Sequence, residues 1–187
     1  QFINGMTDLH TLQSALSNWG TNLAAVTTDI DGDTRPLAPS ATVDVGADEY
    51  NMPADNSGVV AIISPSPPLT TGLQNVVVQI RNFGSSTLTT ANVRYRVGVN
   101  GTVRTVAWTG SIATNGTSNV TFTTPNQHNF TGSFDTIIAW TDAPNGQPDG
   151  FAANDTVSSI VCSPLSGVYT IDTTLATGSG NFNSWAV

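Results

Sequence analysis

The chain has 187 residues and a formal net charge of −8, and its five basic residues are all arginine. A balance this acidic is repelled by phosphate backbones and by anionic lipid, which argues against nucleic acid or a membrane surface as a partner. No apolar run reaches the ~20 residues that cross a bilayer, and the opening Gln1-Phe2-Ile3-Asn4-Gly5 lacks the regions of a signal peptide, so any export signal is expected elsewhere in a longer protein.

Chain order suggests three pieces, residues 1–50, 51–163 and 164–187. The stretches Asn51 to Gly58 and Ser163 to Gly167 have the Pro-, Gly- and Ser-rich composition of linkers between them. Few long charged side chains and many β-branched ones favour strands throughout. In the first piece, Asp29, Asp31 and Asp33 alternate in Asp-x-Asp-Gly-Asp. Alternating carboxylates are the kind of oxygen ligands that calcium takes, yet Thr34 and Ser40 stand where an EF-hand loop has Gly and Glu. The competing reading is a metal-free turn in which Arg35 pairs with Asp33.

The middle piece carries the clearest pattern. Val59 to Ile63 is a short apolar strand. Val76, Val78 and Ile80 alternate with polar neighbours, as do Val93, Tyr95, Val97 and Val99. Asn100-Gly101 then predicts a tight hairpin returning through Val106 and Trp108. Asn115-Gly116 precedes Val120 and Phe122, Phe134 to Trp140 reads as a further strand, and Thr156 to Cys162 as the last. About seven short strands with turns at the roughly 8–12-residue spacing of such folds predict an all-β sandwich. The expected core is Val76, Val78, Ile80, Val93, Tyr95, Val97, Phe122, Ile138 and Trp140.

Chemistry is sparse. Cys162 is the only cysteine, and His10 and His128 sit in polar contexts that read as loops, so no nucleophile–base pair is expected. Asp142, Asn145, Asp149, Asn154 and Asp155 surround a Pro- and Gly-containing stretch that reads as a solvated loop. Trp19, Trp108, Trp140 and Trp185 are candidates for a sugar-stacking platform, but the alternation around Trp108 and Trp140 favours core packing. No Gly-x-Ser-x-Gly elbow, His-Glu-x-x-His or phosphate loop is present. The expectation is a non-enzyme with no cofactor, calcium at Asp29, Asp31 and Asp33 being the one candidate.

Several motifs resemble known families. Val78-Gln79-Ile80-Arg81-Asn82-Phe83-Gly84, Ala91-Asn92-Val93, Gly110-Ser111-Ile112, Val120-Thr121-Phe122 and Asn154-Asp155-Thr156 resemble CARDB modules, the immunoglobulin-like sandwiches of bacterial cell-adhesion-related proteins. Asp29 to Pro36 and Val43-Asp44-Val45-Gly46-Ala47-Asp48-Glu49-Tyr50 resemble the closing segment of parallel β-helix regions in large secreted Bacteroidetes proteins. Val168 to Asp172 and Phe182 to Trp185 resemble the start of the next such region. Asp135-Thr136-Ile137, Asp155-Thr156-Val157 and Asp172-Thr173-Thr174 resemble the O-glycosylation signal of that phylum, which would place glycans on Thr136, Thr156 and Thr173.

These resemblances imply an immunoglobulin-like β-sandwich flanked by fragments of parallel β-helix regions. They imply a non-catalytic module of an extracellular, cell-surface protein such as a gliding-type adhesin exported by type IX secretion. Its partners would be neighbouring domains of the same polypeptide, and glycans or other surface proteins. The alternatives are an accessory module of a polysaccharide-degrading enzyme and a subunit of an extracellular filament.

Overall fold

The computed structural model describes residues 2–4, 8–11, 16, 18–37, 41–49, 52–132, 134–163, 170–172, 174 and 181–182. The strands in chain order are β1 (Phe2–Asn4), β2 (Asp8–Thr11), β3 (Ser57–Ser64), β4 (Gly72–Gln74), β5 (Val76–Asn82), β6 (Leu88–Val97), β7 (Arg104–Ile112), β8 (Thr117–Phe122), β9 (His128–Phe130), β10 (Asp135–Asp142), β11 (Thr156–Val161), β12 (Thr170–Ile171) and β13 (Asn181–Phe182). None of its helices is long and apolar enough to cross a membrane, among the described residues.

The middle piece is an immunoglobulin-like sandwich. A four-stranded sheet, β11-β10-β6-β7, faces a three-stranded sheet, β3-β5-β8, and β4 pairs with β9 as a short ribbon. Every pairing in it is antiparallel. The core forms because successive strand residues point to opposite faces. Val76, Val78 and Ile80 of β5 meet Val93 and Tyr95 of β6, Phe122 of β8 and Ile137 of β10, all at 0% exposure. Across the two sheets the Tyr95 and Phe122 rings stand edge to face, with centroids 4.6 Å apart. The Tyr95 hydroxyl donates to the Asn126 carbonyl at 2.6 Å, and burial pushes its pKa up to about 12 against the lowering effect of Arg104.

The predicted core holds on β5, β6 and β8, with Val97 half-buried against it. It fails on β10, where Ile137, Ala139 and Thr141 point inward and Ile138 and Trp140 outward. Register explains this. Directly paired residues of an antiparallel ladder share a face, and β10 sets Ile137 opposite Val97, Ala139 opposite Tyr95 and Thr141 opposite Val93. The small Ala139 leaves room for the Tyr95 ring.

The turns also depart from expectation. β6 and β7 do form a hairpin, but β6 stops at Val97 and β7 starts at Arg104. Gly98 takes the positive φ of 71° that begins the longer connection, and Val99 is 70% exposed. Asn115-Gly116 lies in the crossing between β7 and β8, which belong to different sheets. Buried Asn82 fixes that crossing. Its side-chain amide donates to the Ser86 and Ile112 carbonyls, and its backbone N–H and C=O pair with Gly116 and Asn115. His10 and His128 lie in strands rather than loops.

Outside the sandwich, β1 and β2 pair antiparallel, Thr28 and Thr34 form an isolated antiparallel bridge, and β12 and β13 pair in parallel. The parallel pairing expected of a β-helix is thus absent from the described residues of the first piece.

Val78 makes the core assignment measurable. Truncating this fully buried side chain in Val78→Ala should lower unfolding free energy by about 1–3 kcal/mol through lost methyls and the cavity left. A denaturant midpoint unchanged within error would contradict the assignment.

Candidate functional site

The aspartates of the first piece organise a turn. The Asp29 Oδ1 accepts the backbone N–H groups of Asp31 and Asp33, each at 2.9 Å, and Oδ2 accepts that of Glu49 at 3.2 Å. Burial opposes its charge, yet the backbone donors of Glu49, Asp33, Asp31 and Gly32 together hold its carboxyl below the usual range. Gly32, at φ +90°, lets the chain reverse between them. Asp29 is therefore directed at amides, and among the described residues no group of three or more His, Cys, Asp and Glu side chains is placed to hold a metal ion.

Arg35 does not turn to Asp33, as the metal-free reading expects. Its Nε donates to Glu49 Oε1 at 2.8 Å and its Nη2 to the Asp44 carbonyl at 3.0 Å. Glu49 also accepts the backbone N–H groups of Asp44 and Leu37. The chain's one glutamate is thus the buried acceptor on which Arg35, Leu37 and Asp44 converge.

A second polar cluster lies at one end of the sandwich. The stretch 143–155, read as a solvated loop, is exposed at Gly146 to Pro148, Gly150, Ala152 and Ala153 but anchored at its ends, where Pro144 and Asp155 are buried. It clamps the segment that leads into β3. Asp149 accepts the Ser57 N–H at 3.0 Å and the Phe151 N–H at 2.8 Å. The Ser57 hydroxyl donates to the Thr141 hydroxyl, which in turn donates to the Ser57 carbonyl. Asn145, at φ 52°, donates to Asp55 and to the Thr87 carbonyl and accepts from the Thr89 N–H and hydroxyl.

Backbone bonds complete the clamp. Ser85 and Ser86 donate to the Pro53 and Ala54 carbonyls, Gly150 to Asp55, and Phe83 and Gly84 to Asn56. A Cβ on Gly84 would collide with the Ala54 carbonyl, and one on Gly150 with the Pro53 ring. The linker composition of 51–58 therefore does not give a free tether in the described residues, where Asn56, Ser57 and Gly58 are buried. No periodicity marks these polar residues; the one legible signal was the density of Asn, Asp and Gly.

Asp155 is the buried carboxyl of this cluster. Its backbone carbonyl accepts the Val59 N–H at 3.0 Å. Its side chain is 8% exposed, and the Asn154 amide, oriented with its nitrogen toward the acceptors, donates to it at 3.2 Å. Burial first, then the charges of Asp149 and Asp142, push its pKa up to about 7.

The outer face of the four-stranded sheet holds the misassigned aromatic. Trp140 lies there half-buried, with Thr156 of β11 and Arg94 of β6 as its cross-strand neighbours. The Arg96 guanidinium sits 5.8 Å from the Trp140 ring centroid. Trp108 packs against the core as expected, Trp19 is 79% exposed, and Trp185 lies outside the described residues. Of the three candidate glycan acceptors, Thr156 is exposed, Thr136 is half-buried in β10, and Thr173 lies outside the described residues. Cys162 is a half-buried free thiol just past β11.

Asp155 gives a signed pH dependence. A carboxyl whose folded pKa exceeds its unfolded value of 3.8 contributes stability that is complete below pH 3.8 and is lost as pH rises through about 7. The stability of Asp155→Asn relative to the native chain should therefore rise between about pH 4 and 7 and level off above. Unfolding midpoints whose difference is flat across that window would contradict a raised pKa.

No family model matches the chain, and no curated protein matches it. Solved structures that it resembles include the CARDB domain of a Pyrococcus furiosus protein in complex with di-metal ions, at 19% identity over 62% of this chain and 91% of that one, with a TM-score of 0.42. A domain of a proposed cell surface protein from Methanosarcina acetivorans is 20% identical over 59% of this chain and 92% of that one, with a TM-score of 0.44. The resemblance is one of general fold at low identity, and no residue takes a role from it.

Proposed function

We propose that this chain is a non-catalytic structural and adhesive module of a large, multidomain cell-surface protein, its sandwich held firmly against the segment that precedes it. The observation that carries the reading is the clamp on residues 52–57. Pro53, Ala54, Asp55 and Asn56 each give a carbonyl to the sandwich, and Ser57 is fixed from both sides by Asp149 and Thr141. A free linker needs none of these bonds. A joint that transmits orientation or pull needs them, because each ordered residue must offset about 1–2 kcal/mol of backbone entropy. The polar side chains gathered there are engaged with backbone and with one another, which suits support rather than turnover.

The first piece supports the same reading. Trp19, Leu23, Val26 and Val45 expose apolar surface around a cleft of about 400 Å³. Apolar surface of that kind suits contact with a neighbouring domain of the same polypeptide, and a β-helix coil is the neighbour that the Gly-Ala-Asp-Glu-Tyr motif implies. A gliding-type adhesin of a bacterial surface is the finer form of the reading, and it rests on that motif and on the CARDB-like strand motifs alone.

Hydrogen exchange tests the joint. The amides of Ser57, Phe83, Gly84, Ser85, Ser86 and Gly150 should be protected to within about ten-fold of the β5 amides, as part of one cooperative unit. Exchange at free-chain rates there, with β5 still protected, would remove the reading. So would turnover of a polysaccharide panel that is lost on mutating one aspartate.

A further inference from the structure

The outer face of β10 and β6 combines three features that the core does not require. Trp140 presents its indole between Thr156 and Arg94, and Ile138 follows between Ser158 and Arg96. A shallow cleft of about 260 Å³ is lined by Arg96, Val103, Ile138, Trp140 and Thr156. The two arginines differ in state. Arg94 Nε approaches Asp142 Oδ2 at 2.7 Å, off the axis of a hydrogen bond but close enough to pair the charges. Among the described residues Arg96 meets no carboxylate in an ion pair, its Nε is shielded from solvent without a hydrogen-bond partner, and its guanidinium lies over the Trp140 ring.

We propose that this face, centred on Trp140 and Arg96, binds an acidic polysaccharide by stacking a uronate ring on the indole and pairing its carboxylate with the guanidinium. With Nε shielded from solvent, the terminal nitrogens of Arg96 are the donors left to a ligand. A guanidinium binds a carboxylate through paired donors, more strongly than neutral hydrogen bonds allow. The part of the half-buried indole that Arg96 leaves uncovered offers an apolar surface for the C–H face of a sugar, and the exposed Thr156 and Ser158 hydroxyls suit its oxygens. Charge complementarity is local: on a chain of net charge −8, the cleft holds a cation and no acid.

An acidic peptide is the rival occupant, and the sheet disfavours it. Peptides commonly add to a sheet through the free backbone groups of an edge strand. β10 and β6 are both interior, flanked on each side by paired strands. Recognition here falls to side chains alone, which suits a ring laid flat.

The site deepens the adhesive reading and rests on it for its biological role. Its failure is separable, because protection of the joint amides does not depend on Trp140. The test titrates the 187-residue chain with oligogalacturonate, with a neutral galacto-oligosaccharide of equal length and with a poly-glutamate peptide, following tryptophan emission and mobility in gels containing each polymer. Oligogalacturonate should bind saturably, and at least about ten-fold more tightly than either comparator. Trp140→Ala should lose the emission change and the retardation, and Arg96→Gln should weaken binding about ten-fold or more while leaving the melting midpoint in place. If Trp140→Ala fails to fold, Arg96→Gln decides alone, since its side chain lies outside the core. No saturable binding, binding unchanged in Arg96→Gln, or equal binding of poly-glutamate or of the neutral sugar would overturn the proposal.

Discussion

The edge-to-face contact of Tyr95 with Phe122 joins the two sheets, and much of the sandwich can be traced from it. Tyr95 lies near the C-terminal end of β6, and its inward direction fixes the inward face of β10 and β7 through the ladder. Ala139 must be small because it lies beside that ring. The Tyr95 hydroxyl cannot be left dry in an apolar interior, and the Asn126 carbonyl that accepts it anchors the chain between β8 and β9. Asn126 in turn donates to the Thr105 carbonyl, tying that connection to β7. One large aromatic with a polar tip thus sets registry, neighbour size and loop position together.

How much of this was legible depended on what stood between the apolar residues. On β5 and β6 the alternation is punctuated by Gln79, Arg81, Arg94 and Arg96, and polar residues of that length have one comfortable side, so the faces were readable. On β10 the run Ile137-Ile138-Ala139-Trp140 is apolar on both sides. Residue size then favoured Trp140 as the buried residue, while the ladder selected Ala139. That choice depends on long-range pairing with β6, which no local window contains. The sandwich class survived the error because it rests on strand number and turn spacing, whereas the position of the candidate binding face did not.

The polar end was legible only as composition. Asn145 and Asp149 read as members of a loop, yet their partners Asp55, Thr89 and Ser57 lie more than fifty residues away. The same holds for Arg35, whose sequence neighbour Asp33 was the obvious partner and whose actual partner is Glu49. Short polar side chains find backbone donors and acceptors wherever the fold brings them, so their density predicts that a network exists and not which groups it joins. Aspartate and asparagine serve as fasteners at the joint, and Arg96, on the outer face of the four-stranded sheet, has no carboxylate partner among the described residues.

The account depends most on which face of β10 is inside, since that assignment both builds the core and places Trp140, half-buried, beside Arg96 on the outer face. Paired truncation of adjacent residues measures it directly. Ile137→Ala should lower unfolding free energy by about 2–5 kcal/mol, as for a buried isoleucine, whereas Ile138→Ala should cost under about 1 kcal/mol. The reverse order, with Ile138 the costly position, would place Trp140 in the core and contradict the account.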